Sequence, residues 1–335
     1  MTQNKERLLT GLQPSGTLHI GNYFGSLKPF LDIYERYESF LMVADLHALT
    51  SLKDPKALQR NIYDVVKDYL AVGVDPSKAV IFKQSDNPDH TELAWILNCQ
   101  VTVPFLMQAH SYKDKVAKGL EPNAGLFTYP MLMAADILLY DTELVPVGED
   151  QRQHIEYARE AATKFNLAYS SVLHIDANMD TSTTVVPLEG RILKEPKEMI
   201  LKGVGIVPGT DGQKMSKSYK NTIPLFGTKD EISKAVMGIV TDSSGDRPEN
   251  VYTIHSLFVG KEELDALYEE KKGRYKDLKE ALIEDIEAFI APMREKRDNI
   301  SDEHVRQVLK EGTEKARGIS SQKMGAIRKA VGISL

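Results

Sequence analysis

The sequence holds a single cysteine, Cys99, which excludes an intramolecular disulfide framework. Flanked by Leu97-Asn98 and Gln100-Val101 in a helical stretch, that thiol reads as a packed side chain rather than a nucleophile. No uncharged apolar run approaches the roughly 18 residues of a membrane span. The opening MTQNKERLLT is charged and has no apolar core segment, so a signal peptide is not expected and a cytoplasmic protein is. Internal repeats, low-complexity tracts and Cys/His clusters of the zinc or iron–sulfur kind are all missing. Positive charge is scarce too. With 42 Lys/Arg against 48 Asp/Glu the net charge is −6, which argues against a generic nucleic-acid binder. The distribution qualifies this: residues 301–335 hold seven Lys/Arg against four Asp/Glu, leaving −9 on the rest. Arg317, Lys323, Arg328 and Lys329 suit either an RNA backbone or the solvated face of terminal helices.

What is present is enough apolar material, 42% of 335 residues, for one large or two modest domains. Residues 7–12 read as a strand, broken at Gln13-Pro14-Ser15-Gly16, and a helix opens near Gly21. Phe40 to Ala44 is a continuous apolar run of the buried parallel type. Asp54-Pro55 starts a helix carrying Leu58, Ile62, Val65, Val66, Tyr69 and Leu70 at helical spacing, and Ala79 to Phe82 is a third strand. A helix is expected over 89–111, and a second apolar one, with Asp136 inside it, over 128–140. Leu144 to Val147 and Val204 to Val207 are further strands, while 171–203 carries no regular pattern. This alternation predicts an α/β fold with a parallel sheet that binds ligands at the carboxyl ends of its strands. After residue 228 only helices follow, at 229–240, 261–271, 275–297, 302–317 and 319–332. The expected domains are therefore 1–227, α/β, and 228–335, all-α.

Two stretches carry chemistry. Pro208 to Asn221 places Lys214, Lys217, Lys220, Ser216 and Ser218 after a Gly-Thr-Asp-Gly turn. A basic, hydroxyl-bearing loop after a strand binds phosphate by converging ammonium and hydroxyl donors, although a solvated surface loop has the same composition. Thr17 to Asn22 lies at the first strand-to-helix crossing, where a helix N-terminus offers N–H groups to an anion and Gly21 permits close approach. His19 and Asn22 can donate to phosphate oxygens.

Taken together these stretches resemble the HIGH and KMSKS signatures of class I aminoacyl-tRNA synthetases, with Asn22 in place of the final histidine. GLQPSGTLHIGNYFGSL, YPMLMAADILLYDTELVPVGEDQRQHIE and GQKMSKS are similar in order and spacing to the bacterial tryptophanyl-tRNA synthetases, whose nearest relatives are the tyrosyl enzymes. The resemblance covers nearly the whole chain. It implies a Rossmann-like ATP and amino-acid activating domain, a helical anticodon-binding domain and a homodimer with 89–111 near its interface. Tryptophan would be activated with ATP, whose Mg2+ arrives on the nucleotide, and then passed to tRNA. His19, Asn22, Lys214 and Lys217 would be catalytic. ATP would be held by Gln13, Pro14, Ser15, Gly21, Asn22, Gly148, Glu149, Asp150, Ile206, Lys214, Met215, Ser216, Lys217 and Ser218. The substrate would meet Asp136, Tyr129, Met133, Gln151, His47, Val145 and Val147, with Val43 also in the pocket wall.

Asp136 bears most on specificity. A carboxylate among Met133, Ala134, Ala135, Ile137 and Leu138 is costly to bury without a donor. It faces solvent, or pairs with a lysine or arginine, or, as the resemblance implies, accepts an indole N–H. Ser111 stands where many of these enzymes carry glutamine, while Lys115 matches a lysine that reaches ATP phosphates. No large insertion separates the motifs. That suits a bulky substrate needing no editing domain, whether tryptophan or tyrosine.

Overall fold

The structure, a computed structural model, describes residues 5–117, 119, 121–148, 152–170, 190–201, 206–241 and 247–334. Its strands are β1 (Arg7–Leu12), β2 (Glu38–Val43), β3 (Ala79–Lys83), β4 (Leu144–Val147) and β5 (Lys197–Ile200). All pair in parallel, in the order β3-β2-β1-β4-β5. The chain builds outward from β1 to β3 and then returns to lay β4 on the other side of β1. That reversal opens a crevice at the carboxyl ends of β1 and β4, the usual ligand position of such sheets.

The crossovers are helical: α1 (Ile20–Asn22), α2 (Lys28–Leu31), α3 (Asp45–Ala48), α4 (Pro55–Ala71), α5 (Asp89–Asn98), α6 (Val103–Leu106), α7 (His110–Ala117), α8 (Ala124–Leu138) and α9 (Arg152–Tyr169). Then come α10 (Lys229–Met237), α11 (Glu249–His255), α12 (Lys261–Glu270), α13 (Tyr275–Asp298) and α14 (Asp302–Val331). Strand side chains alternate between faces. Leu8, Leu41, Val43 and Ile81 enter one core, with Val65 and Val66 of α4 and Leu282, Ile286 and Ile290 of α13. Leu9, Phe40, Met42 and Phe82 enter the other, with residues of α5, α8 and α9.

Helix α14 joins these cores. Val305, Val308 and Leu309 pack into the first, and Ala316, Met324 and Ile327 into the second. The helix therefore crosses the exposed edge of β3, and it does so at Gly312. A Cβ there would lie 1.8 Å from the Ile81 carbonyl oxygen, so only glycine lets the helix approach the strand so closely. The crossing also covers a sheet edge that would otherwise be open to pairing.

The α/β architecture expected from the pattern is present, with differences in detail. The expected 89–111 helix is three helices, because Pro104 cannot continue α5 and instead opens α6. The two expected terminal helices are one: Gly318, which lies between the two expected ranges, sits inside α14 facing open space. Helix α11 was not foreseen; it has seven residues and starts after Pro248. The fifth strand lies at 197–200, inside the stretch read as irregular. Its four residues at the sheet edge are too few to show a period. Of the expected strand at 204–207, Val204 and Gly205 fall outside the described residues, and Ile206 and Val207 are not in a strand. Cys99 caps α5 and is exposed, not packed.

Candidate active site

The first motif turns on His19. The residue is 6% exposed and caps α1: its Nδ1 accepts from the Asn22 amide at 3.3 Å, while Asn22 Oδ1 accepts from the His19 amide at 3.1 Å. Burial, and then the charge of Lys217, lowers its pKa from 6.5 to about 4. The imidazole is thus neutral at pH 7. With Nδ1 accepting, the proton sits on Nε2, which becomes a donor. The expected anion site of free helix amides is only partly there. The Ile20 N–H goes to the Ile223 carbonyl at 3.0 Å and the Asn22 and Tyr23 amides turn back to the His19 carbonyl. The donors left for a phosphate are His19 Nε2–H, the Asn22 side-chain amide and the Gly21 N–H.

Gly21 couples the two motifs. A Cβ on it would lie 2.9 Å from His19 Nδ1 and 3.2 Å from Met215 Cβ. The same backbone is tied downstream, since the Leu225 amide donates to the Leu18 carbonyl at 2.9 Å. The basic loop itself is organised by Asn221, which is 2% exposed. Its Oδ1 accepts from the Ser216 amide at 2.8 Å, and its Nδ2 donates to Asp211 at 2.7 Å and to the Lys214 carbonyl at 3.1 Å. Met215 is buried, and its amide meets the Val207 carbonyl at 2.9 Å. Ser216 Oγ accepts from the Ser218 amide at 3.3 Å. Lys217 reaches across to the 13–16 turn, with Nζ 3.0 Å from the Gly16 carbonyl and 3.5 Å from that of Ser15. Partial burial of the ammonium lowers its pKa. Asn61 of α4 holds the same turn from behind, donating to the Pro14 carbonyl at 3.0 Å. Residues 200 positions apart in sequence thus face one cleft.

Beside them a cavity of about 380 Å3 opens at the carboxyl ends of β1 and β4. Gln13, His47, Tyr129, Met133, Asp136, Val145, Val147 and Gly148 all line it, and Thr10, His154 and Met42 join them. Met42 and Ala44 face this cavity, so Val43, expected in its wall, points into the opposite core.

Asp136 is 2% exposed, and among the described residues it pairs with no lysine or arginine. His47 Nε2 meets its Oδ2 at 2.7 Å; His90 Nδ1 at 2.6 Å and Gln84 Nε2 at 2.8 Å meet its Oδ1. Burial raises a carboxyl pKa, but the hydrogen bonds from His47 and His90 outweigh it and the group stays below the usual carboxylate value. A carboxylate has about four acceptor positions. Among the described residues three are taken, and one remains on Oδ2. His47, expected at the substrate, has its Nε2 committed to Asp136.

Gln84, His90 and Asn221 escaped the sequence reading. Only Asn221 had a local signal, as the first residue after the basic run. Ile206 precedes the stem of the loop and is 72% exposed. Glu149, Asp150 and Gln151 lie outside the described residues, as do the side chains of Ser111 and Lys115. Among the described residues no group of three or more His, Cys, Asp or Glu forms a metal site, and no helix is long and apolar enough to cross a membrane.

Residues 1–313 match the model of the family described as tRNA synthetases class I (W and Y). A tryptophan–tRNA ligase of Fusobacterium nucleatum subsp. nucleatum is 44% identical over 338 residues, covering 98% of both chains. One from Rhodopirellula baltica is 41% identical, covering 98% of this chain and 99% of its own. The crystal structure of the Campylobacter jejuni tryptophanyl-tRNA synthetase complexed with ADP and tryptophan superposes with a TM-score of 0.86 at 40% identity, over 97% of this chain and 99% of that one. The paired motifs, the cavity at the strand reversal and these similarities agree: the chain belongs to the class I tRNA synthetases of the tryptophan and tyrosine family.

Proposed function

We propose that this chain activates L-tryptophan with ATP, releasing diphosphate, and passes the tryptophanyl group to the 3′ end of its tRNA, releasing AMP. The observation that carries the choice of amino acid is Asp136. It is a buried carboxylate held by three hydrogen bonds, with one acceptor position open toward a cavity of small-molecule size. An indole N–H is a donor only and fits that vacancy. Tyr129, Met133, Val145 and Val147 supply the walls, and the resemblance to the family adds Gln151, outside the described residues, as a substrate contact.

The first step needs no strong base, because the attacking amino-acid carboxylate is already ionised. It needs charge stabilisation and in-line placement. Neutral His19 donates from Nε2 and Asn22 from its side-chain amide, while Lys214 and Lys217 meet the departing diphosphate from the opposite side. Gln13, Pro14, Ser15, Gly21, Gly148, Ile206, Met215, Ser216 and Ser218 frame the nucleotide, and the resemblance to the family adds Glu149 and Asp150, outside the described residues. Mg2+ bound to the triphosphate neutralises part of its charge.

Activation belongs to residues 1–227 and tRNA recognition to 228–335. Arg328 and Lys323 do not serve the RNA. Arg328 pairs with Glu92 and Asp89, and Lys323 with Asp141 and the Ile192 carbonyl. Lys310, Lys315, Arg317 and Lys329 are exposed cations of α14 that can face it, and Lys310 and Arg317 are the pair we assign to it. The working unit is a cytoplasmic homodimer, formed through the exposed apolar face of Trp95, Val103, Met107 and Val116. Amino-acid-dependent ATP–diphosphate exchange tests the reading: exchange with tryptophan and not with tyrosine supports it, and the reverse refutes it.

A further inference from the structure

The hydrogen bonds that hold Asp136 continue beyond it. His90 bridges Asp136 Oδ1, 2.6 Å from its Nδ1, and Tyr140 Oη, 2.8 Å from its Nε2. Tyr140 Oη accepts from Asn87 Nδ2 at 3.1 Å, and the same nitrogen donates to Ser320 Oγ at 2.9 Å. Ser320 Oγ donates to Asp89 Oδ2 at 2.7 Å, and Asp89 faces Arg328 at 3.4 Å. The line leads from α8 through α5 and the turn after β3 to α14. His90, Tyr140 and Ser320 have no exposed surface, and Asn87 has 1%. Phe82 stacks on the His90 ring and Phe40 on Tyr140, which fixes both planes.

The chemistry of the ends sets the direction of every hydrogen. Asp136 and Asp89 are carboxylates that only accept. His90 Nδ1 must therefore carry a proton. Both hydrogens of the Asn87 amide nitrogen are engaged, and the Ser320 hydrogen goes to Asp89 at 2.7 Å in preference to the Arg317 carbonyl at 3.3 Å. The Tyr140 hydroxyl is left with one acceptor among the described residues, His90 Nε2. The imidazole is consequently neutral, with its proton on Nδ1. An imidazolium would point a second hydrogen at Tyr140 and strand the phenol hydrogen in a buried site.

We propose that Tyr140 and Ser320 are positioning residues for the amino-acid pocket: through Asn87 and His90 they lock the donor that orients Asp136, so that the seating of α14 is linked to amino-acid affinity. The inference rests on the reading that Asp136 accepts a hydrogen bond from the substrate side chain. It explains why a helix that ends the chain sends a buried hydroxyl toward a site built by β1, β4 and α8. Linkage of this kind is reciprocal, so tryptophan should also tighten α14 against α5.

The test compares Tyr140→Phe, which deletes one oxygen and keeps the ring, with Ser320→Ala. Thr313→Val, also buried on α14 but outside the line, is the control. Diphosphate exchange is measured with tryptophan and ATP varied separately. Both variants are expected to raise the tryptophan KM about tenfold, as for loss of one buried hydrogen bond, and to leave the ATP KM within about twofold. The double variant should be no worse than Tyr140→Phe alone, because the line is already cut. Unchanged tryptophan KM in Tyr140→Phe, even with a lower Tm, overturns the proposal and leaves these contacts as cement between helices. Should Ser320→Ala fail to fold, nitrogen NMR of His90 in the unmodified protein decides: a neutral Nδ1–H ring supports the line, and an Nε2–H ring or an imidazolium overturns it. Absence of tryptophan-dependent exchange in the unmodified protein overturns the underlying reading as well.

Discussion

Replacing Gly21 with alanine puts a methyl group where no space exists. The new carbon would sit 2.9 Å from His19 Nδ1, 3.2 Å from His19 Cε1 and 3.2 Å from Met215 Cβ. Neither neighbour moves freely. The His19 ring is buried and held by the Asn22 amide, and Met215 is 5% exposed with its backbone bonded to Val207. Relief by rotating His19 forfeits the cap, at about 1 kcal/mol, and the overpacking adds about 1–3 kcal/mol. Stability should fall by about 2–4 kcal/mol in urea unfolding. The rate should suffer as well, because moving His19 Nε2 by roughly 1 Å can cost about 100-fold. Diphosphate exchange at saturating substrates measures this. Adding Met215→Ala, which keeps the β-carbon that the new methyl meets, should restore neither the stability nor the rate. A Gly21→Ala protein that folds and exchanges at the unmodified rate would refute the role given to His19.

Asp136→Asn retains shape but turns an amide N–H2 toward donors on His47, His90 or Gln84; stability should drop by about 2–3 kcal/mol and tryptophan kcat/KM by about 100-fold, with ATP binding little changed. The second effect failing while the first appears would make Asp136 purely structural. Arg328→Glu faces Asp89 and Glu92 with a like charge, so its signature is a lower Tm; Lys310→Glu with Arg317→Glu should instead raise the tRNA KM and spare exchange, and the opposite assignment would contradict the placement of RNA on α14. His19 contributes a pH dependence. Its folded pKa, about 4, lies below the unfolded 6.5, so the contribution is complete above pH 6.5 and is lost as pH falls toward 4, by at most about 3 kcal/mol. His19→Asn keeps a capping side chain and should flatten this slope in urea midpoints taken between pH 7 and 4.5; equal slopes would count against the buried neutral histidine. Trp95→Glu should convert a dimer to a monomer in sedimentation, and an unaltered dimer would place the interface elsewhere.

The parts legible in sequence were those with a local signature. Phe40 to Ala44 and Ala79 to Phe82 are short apolar runs that suit a sheet covered on both faces, and they form β2, inside the sheet, and β3, at the edge that α14 crosses. The basic loop and the His19 turn were legible because their residue types crowd together. Long-range partnership was not. Nothing near His90 in sequence tells that it meets Asp136, and Gln84 reads as an ordinary polar residue at a strand end. The alternation that sends Val43 away from the cavity follows from register, which a run of five apolar residues hides. Helix α14 was read as two, parted at Gly318, yet that glycine continues the helix in open space, while Gly312, inside the first of the two, marks a close crossing.

The central claim is that the indole of tryptophan completes the coordination of Asp136 beside a nucleotide clamped by the two motifs. A crystal structure with tryptophan and a non-hydrolysable ATP analogue tests it directly. The account predicts the indole nitrogen within about 2.7–3.2 Å of Asp136 Oδ2, with His47 and His90 still in place, and phosphate oxygens reached by His19 Nε2 and Lys217. An indole turned away from Asp136, or phosphates beyond reach of both motifs, would contradict it.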